Sequence, residues 1–395
     1  DCTKSRLPKP GTPSETGTHM AEIHHADGRI ELEEKDSQAL QESPLYNPDL
    51  APVPLAKRNW TTYNFAALWI SMAHCIPTYM LASGLIDSGM SWLQALGTIL
   101  LGNVIVLVPI LLNSHPGTRY GIPFPVLLRA SYGSYGANLP ALMRALVACG
   151  WFGINAWIGG AVLHTFFGSI FPGWAHLLGS APIGGYLPTQ WLSFLLFWGL
   201  NIFVIFRGMD LVRKLENFAA PFVLVMAAVL LVWAVKKANG FGPIIDRPAK
   251  LSSAEFWKAF PIALTGMVGF WATLSLNMPD FTRYGKSQRA QMIGQTIALP
   301  TTMFGFSAMA VIITSATSVV FGRPIWKPEL LIGELKDPVW VGLSALTLVI
   351  ATLAVNIAAN VVSPANDFAN AWPKHIDFKR GALVTGVVGI RLGPG

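Results

Sequence analysis

The residues best equipped for chemistry in this chain are amides set beside aromatic rings in apolar surroundings. Trp151 and Asn155, in "CGWFGINAWIGG" (149–160), are four apart and Gly159 follows one turn later, so the three share a helix face. In "ATLAVNIAANVVSPANDF" (351–368), Asn356, Asn360 and Ser363 form a second polar stripe. A third run, "LTGMVGFWATLSLNMPDF" (264–281), sets the bulky pair Phe270 and Trp271 among Gly266, Gly269, Thr273 and Ser275. Leaving an amide unpaired in an apolar medium costs about 2–7 kcal/mol, so each of these side chains needs a partner. Asn155 and Asn360 read as contacts to a polar ligand, and Asn356 as glue between helices. Ring faces stack and amides bond ring edges, which suits a flat, polar heterocycle. Stacking is worth about 1–3 kcal/mol per face and a net hydrogen bond about 0.5–1.5, so two faces and a few bonds reach the ~8 kcal/mol of a micromolar site. The residues alone name no particular ring.

Positioning these groups is the task of a membrane-embedded bundle. Of the 395 residues, 52% are hydrophobic and only 12% charged, a balance that points to a polytopic membrane protein. Residues 1–56 are rich in Pro, Ser, Glu, Asp and His and read as a disordered cytoplasmic tail in which His24 and His25 are solvated. From 57 to 395 runs the membrane domain, with apolar segments of spanning length at 62–87, 91–113, 138–170, 190–206, 214–236, 257–279, 292–322 and 338–363. These make eight full spans. A ninth opens at Gly381 and reaches only "GVVGIRLGPG". Clusters such as Lys57/Arg58, Arg207/Arg213/Lys214 and Arg283/Lys286/Arg289 fall on one side if spans alternate, which places the N-terminus inside the cell. The net charge of +7 is spread over these clusters, so it reads as topology and contact with the lipid bilayer, not as nucleic-acid binding. Cys2, Cys75 and Cys149 have neither CxxC nor Cys/His spacing, so no disulfide framework or metal site is expected.

Pro77, in the middle of the first span, removes a backbone donor and clashes with the carbonyl four residues back, so that helix should break near His74 to Pro77. Irregular backbone at membrane depth is tolerated where it lines a cavity buried in protein. The glycines of the sixth span predict a similar unwinding there. A disrupted first and sixth span together suggest an inverted repeat of five helices.

On "LYNPDLAPVP", "IPTYMLASGLIDSGMSW", "LVPILLNSHPGTRYGIPFPVLLRASYG", "ALVACGWFGINAWIGG", "GFWATLSLNMPDFTRYGKSQ" and "IAANVVSPANDFAN", the chain resembles the nucleobase:cation symporter family one over about residues 46–390. The resemblance implies an all-α, five-plus-five inverted-repeat (leucine-transporter-like) bundle with its site between spans one, three, six and eight. It places the family's stacking tryptophans on Trp151 and Trp271, its eighth-span asparagine on Asn360, and substrate contacts on Cys75 and the backbone of Phe270. The family's usual glutamine falls on Asn155, one methylene shorter. Sodium-coupled relatives hold the ion with backbone carbonyls that map to Ser71, His74 and Ala351, and with two hydroxyls that fall here on Ala354 and Val355. Losing two oxygen ligands should abolish a sodium site, so either proton coupling or no coupling is expected, with the proton as the favoured coupling ion. His74 is the ionisable side chain expected nearest the site, as a proton carrier or as a tie for the unwound backbone. Asp280 with Arg283, and Glu216 with Arg213 and Lys214, read as ion pairs at helix ends.

The expected function is import of uracil or allantoin by proton symport across the plasma membrane, with no cofactor. The family pattern continues past 390, so the bundle is expected to be C-terminally incomplete, lacking most of span nine and all of span ten, and poorly stable in detergent. An alternative is therefore a truncated protein that binds substrate without transporting it. An enzyme is disfavoured because no zinc motif, nucleophile elbow or intraspan carboxylate pair is present.

Overall fold

A computed structural model describes residues 21–392 apart from 208, 242–249, 324, 326 and 336. Among the described residues, seven helices are long and apolar enough to cross a membrane, and there are eight spans when the bent pair Thr62–Ala73 and Ile76–Asp87 is taken as one. The second to seventh spans are Trp92–Tyr120, Asn138–Ile170, Pro188–Phe206, Met209–Lys237, Ser253–Leu276 and Gln288–Phe321. The eighth comprises Pro338–Asn360 and Val362–Ala371, and a further helix covers Phe378–Leu392. The second span outruns its apolar stretch because "NSHPGTRY" stays helical until Gly121, whose φ of 70° is a left-handed cap.

Packing follows a rule of five. The first span lies on the seventh and the sixth on the second, and exchanging each span with the one five later turns one pair into the other. The third and eighth pack on each other, a pair the same exchange leaves in place. This is the pattern an inverted repeat of five helices produces.

Small residues let the second span closely approach the sixth and the short helix Pro279–Thr282 that follows it: a Cβ on Gly102 would lie 2.4 Å from Met267 Cβ. A Cβ on Gly117 would lie 2.7 Å from Pro279 Cα, whereas one on Gly97 would meet nothing within 4 Å. Gly117→Ala is therefore expected to cost about 1–3 kcal/mol through overpacking. A melting curve in detergent should fall for Gly117→Ala and stay in place for Gly97→Ala.

The N-terminal segment is more structured than its composition suggests. Residues 1–20 lie outside the described residues, but within 21–57 a hairpin pairs Glu22–His24 with Ile30–Leu32, and a helix follows at Glu34–Ala39. Asn47 donates to the carbonyls of Pro373 and Ile376 at 3.0 and 2.8 Å, and Asp49 accepts from the Phe378 amide at 2.7 Å. Arg58 is buried and donates to the carbonyls of Val53 and Ile30. Burial holds its guanidinium down to about 10, still a cation at neutral pH. The expectation of disorder fails for 21–56 because these bonds reach some 330 residues along the chain, where composition carries no signal.

Candidate functional site

The first span breaks where proline dictates. Pro77 sits in the first turn of the second half-helix, His74 (φ −84°, ψ 66°) and Cys75 (φ −130°, ψ 161°) leave the helical region, and the two halves meet at 57°. The sixth span does not follow suit. It is helical without interruption from Ser253 to Leu276 and ends at Asn277, so its glycines do not unwind it. Gly266 and Gly269 have open space where a Cβ would be, and nothing there forces the backbone apart.

A cavity of about 430 Å³ opens at the break. Cys75 and Pro77 line it from the first span; Arg144, Trp151 and Asn155 from the third; Phe270 and Trp271 from the sixth; Val355 and Asn360 from the eighth. All six residues expected to contact substrate thus face one space. Their rings brace one another: Trp151 lies 6.3 Å from Phe270 at 82°, Phe270 lies 4.7 Å from Trp271, and Trp271 stands perpendicular to Trp69 at 5.4 Å. Trp151 is 37% exposed and Trp271 only 3%.

The amides are oriented by backbone carbonyls, which accept from an NH₂ group and never from an amide oxygen. Asn155 Nδ2 donates to the Trp151 carbonyl at 3.0 Å, leaving its buried Oδ1 without a partner. Asn201 Nδ2 donates to the Phe197 carbonyl, and Asn356 Nδ2 donates to Asn201 Oδ1 at 3.1 Å and to the Phe152 carbonyl at 3.4 Å. Asn356 Oδ1 is then the acceptor for Asn360 Nδ2 at 3.0 Å. Asn356 is interhelical glue, as expected, and Asn360 keeps its carbonyl oxygen free of bonds to the described residues. Two members of the predicted stripes turn elsewhere. A Cβ on Gly159 would lie 2.4 Å from the Phe197 ring, so this position packs on the fourth span, and Ser363 donates to Asp367 at 3.1 Å.

Arg144 was not anticipated. It is buried, donating from Nε to Asn277 Oδ1 at 3.0 Å and from Nη2 to the Ala359 carbonyl at 2.9 Å, while Nη1 bonds to no described residue. The signal was present in the sequence: Arg144 precedes Trp151 by seven residues, two helical turns along the same face.

The residues assigned to the coupling ion are less convergent. His74 and Ala351 line a second, apolar cavity of about 770 Å³ on the other side of the break, and Cys75 borders both. His74 Nδ1 bonds the Ile70 carbonyl at 2.6 Å and its ring lies 4.5 Å from Phe306, the geometry of a tie for the helix end. Ser71 turns its hydroxyl to Glu216 of the fifth span. Neither expected terminal ion pair forms. Arg213 binds Asn59 and Lys214 is exposed, while Glu216 is buried. Asp280 accepts from the Phe124 amide at 3.0 Å, whereas Arg283 donates to the Asp49 carbonyl at 2.7 Å. In both cases burial against a neighbouring helix overrides proximity in sequence.

These helices and this cavity define an integral membrane protein of many spans. Residues 52–394 match the family model described as permease for cytosine/purines, uracil, thiamine, allantoin. The chain is 42% identical over 358 residues to the allantoin permease of Bacillus subtilis, covering 90% of this chain and 73% of that protein. It is 44% identical over 355 residues to the purine-uracil permease of Arabidopsis thaliana, covering 89% of this chain and 58% of that one. Among solved structures, Mhp1, a nucleobase-cation-symport-1 family transporter in a closed conformation with bromovinylhydantoin bound, superposes with a TM-score of 0.70 at 24% identity, over 88% of this chain and 74% of that one. The chain belongs to this permease family and has its inverted-repeat fold. The family is one of transporters, not enzymes, and neither curated relative is named for binding without transport.

Proposed function

We propose that the chain imports an imide- or ureide-type heterocycle, uracil or allantoin, by proton symport across the plasma membrane with its N-terminus in the cytoplasm. The observation that carries this reading is the cavity at the break, where two amide oxygens, one guanidinium edge and the Trp271 indole N–H have no partner among the described residues. Asn155 and Asn360 offer acceptors and Arg144 Nη1 a donor, the complement of a ring whose edge alternates N–H and C=O. Trp151 and Trp271 supply stacking faces, with Phe270 between them. The shorter amide of Asn155 leaves room for a bulkier ring or a bridging water. Coupling to a proton rests on Ala354 and Val355, which bring no hydroxyl to the place where sodium-coupled relatives have two. One charge moved through 100 mV is worth about 2.3 kcal/mol, enough for roughly fifty-fold accumulation of a neutral substrate. The test is uptake of radiolabelled uracil and allantoin into sodium-free proteoliposomes under an imposed inward proton gradient. Uptake that collapses with the gradient is expected. Uptake driven only by sodium, or indifferent to both ions, would refute the coupling.

A further inference from the structure

Glu216 is the most isolated acid in the bundle. It lies on the buried stripe of the fifth span formed by Val212, Glu216, Ala219 and Val223, and is 2% exposed. One carboxylate oxygen meets the Ser71 hydroxyl and the other has no partner. No cation lies within 4 Å of it among the described residues. The helices packed against it supply none: Pro188–Phe206 and Pro338–Asn360 contain no charged residue, Gln288–Phe321 carries only the exposed Arg289, and the Thr62–Ala73 half of the first span carries Tyr63, bonded to the Asn217 carbonyl, and ends at the tethered His74; in the other half Cys75 bonds Thr78, Tyr79 bonds Thr314 and Asp87 is exposed. On its own helix Asp210 is exposed, Arg213 and Lys214 are engaged or exposed as above, and Lys236 and Lys237 lie more than five turns away. An ionised carboxylate buried without a counter-charge is strongly disfavoured, so a proton is the species able to neutralise this one.

Ser71 converts that proton into a structural signal. Its single hydroxyl hydrogen has two acceptors, Glu216 and the Leu68 carbonyl at 3.1 Å. A protonated Glu216 donates to Ser71 Oγ and frees the hydroxyl hydrogen for Leu68; an ionised Glu216 must take that hydrogen for itself. Ser71 stands three residues before the break at His74. We propose that Glu216 is the proton-carrying group of the transport cycle, taking up one proton as its carboxylate becomes a carboxylic acid and releasing it on return, with Ser71 as the positioning residue that links its state to the broken first span.

This inference rests on the proton-coupled reading above, and the experiment separates the two. In proteoliposomes containing the full chain, wild type, Glu216→Gln and Ser71→Ala are compared for gradient-driven uptake of uracil or allantoin, whichever wild type accumulates, for exchange of that substrate without a gradient, and for substrate-linked proton entry reported by a trapped pH dye. Glu216→Gln should bind and exchange substrate within about threefold of wild type, lose accumulation, and carry no substrate-linked proton. Ser71→Ala should retain proton-linked uptake with a shifted pH profile, which keeps the proposal testable if the glutamine variant does not fold. Wild-type uptake indifferent to the gradient overturns both readings. Gradient-driven, proton-linked uptake persisting in Glu216→Gln, or an unmoved pH profile in Ser71→Ala, overturns this one alone.

Discussion

Truncating Arg144 to alanine should destabilise the protein by about 3–5 kcal/mol, the scale seen when one partner of a buried charged network is removed. The side chain closes the cavity floor by tying Asn277, at the end of the sixth span, to the Ala359 carbonyl of the eighth. Its charge also faces the buried carboxylates of Asp280 and Asp367, neither of which has a cation within 4 Å among the described residues. Lysine should recover only part of the stability, because a point charge cannot reproduce two bonds from the edges of one planar fork. A melting curve in detergent checks this. An unchanged melting temperature for Arg144→Ala would show that the network is already relaxed by water and that the carboxylates do not depend on it.

Removing an indole from the cavity should weaken binding about 5- to 150-fold per ring, the ratio equivalent to the ~1–3 kcal/mol of one stacked base. The two rings differ in what else they do. Trp271 is buried against Trp69 and Phe270, so its truncation also leaves a hole in the core and should lower the melting temperature. Trp151 is over a third exposed and braced only by Phe270, so Trp151→Ala should lose affinity at nearly unchanged stability. Equilibrium binding of tritiated uracil and allantoin, measured beside a melting curve, separates the two behaviours. Equal affinity in wild type and Trp151→Ala would remove that ring from the site.

Local chemistry was legible in the sequence, and long-range geometry was not. Pro77 announces the break in the first span because a missing donor and a steric clash act within one turn. The unwinding expected of the sixth span failed for the complementary reason: glycine permits an irregular backbone without imposing one, and no proline stands in the middle of Met267–Ser275. Glu216 was misread by its neighbours in sequence, Arg213 and Lys214, although helical spacing puts it on the same stripe as Val212 and Ala219. Arg144 was readable by the same rule, counted back from Trp151. The orientation of Asn360 was not, since it depends on a relay through Asn356 and Asn201 that joins the fourth and eighth spans. The ordered segment at 21–57 likewise owes its shape to carbonyls at 373 and 376.

The central claim is that the heterocycle sits in the cavity at the break of the first span, and Cys75, itself one of the expected contacts, allows this to be tested by its protection from labelling. Cys75 lines that cavity and is 3% exposed, whereas Cys149 is wholly buried elsewhere. In a Cys2→Ser background, the rate at which a membrane-permeant maleimide labels Cys75 would be measured with and without saturating uracil or allantoin, with Cys149 as the internal reference. A bound ring over the break should slow labelling of Cys75 at least tenfold and leave Cys149 unaffected. An unchanged rate, at a concentration shown to saturate binding, would place the substrate somewhere else.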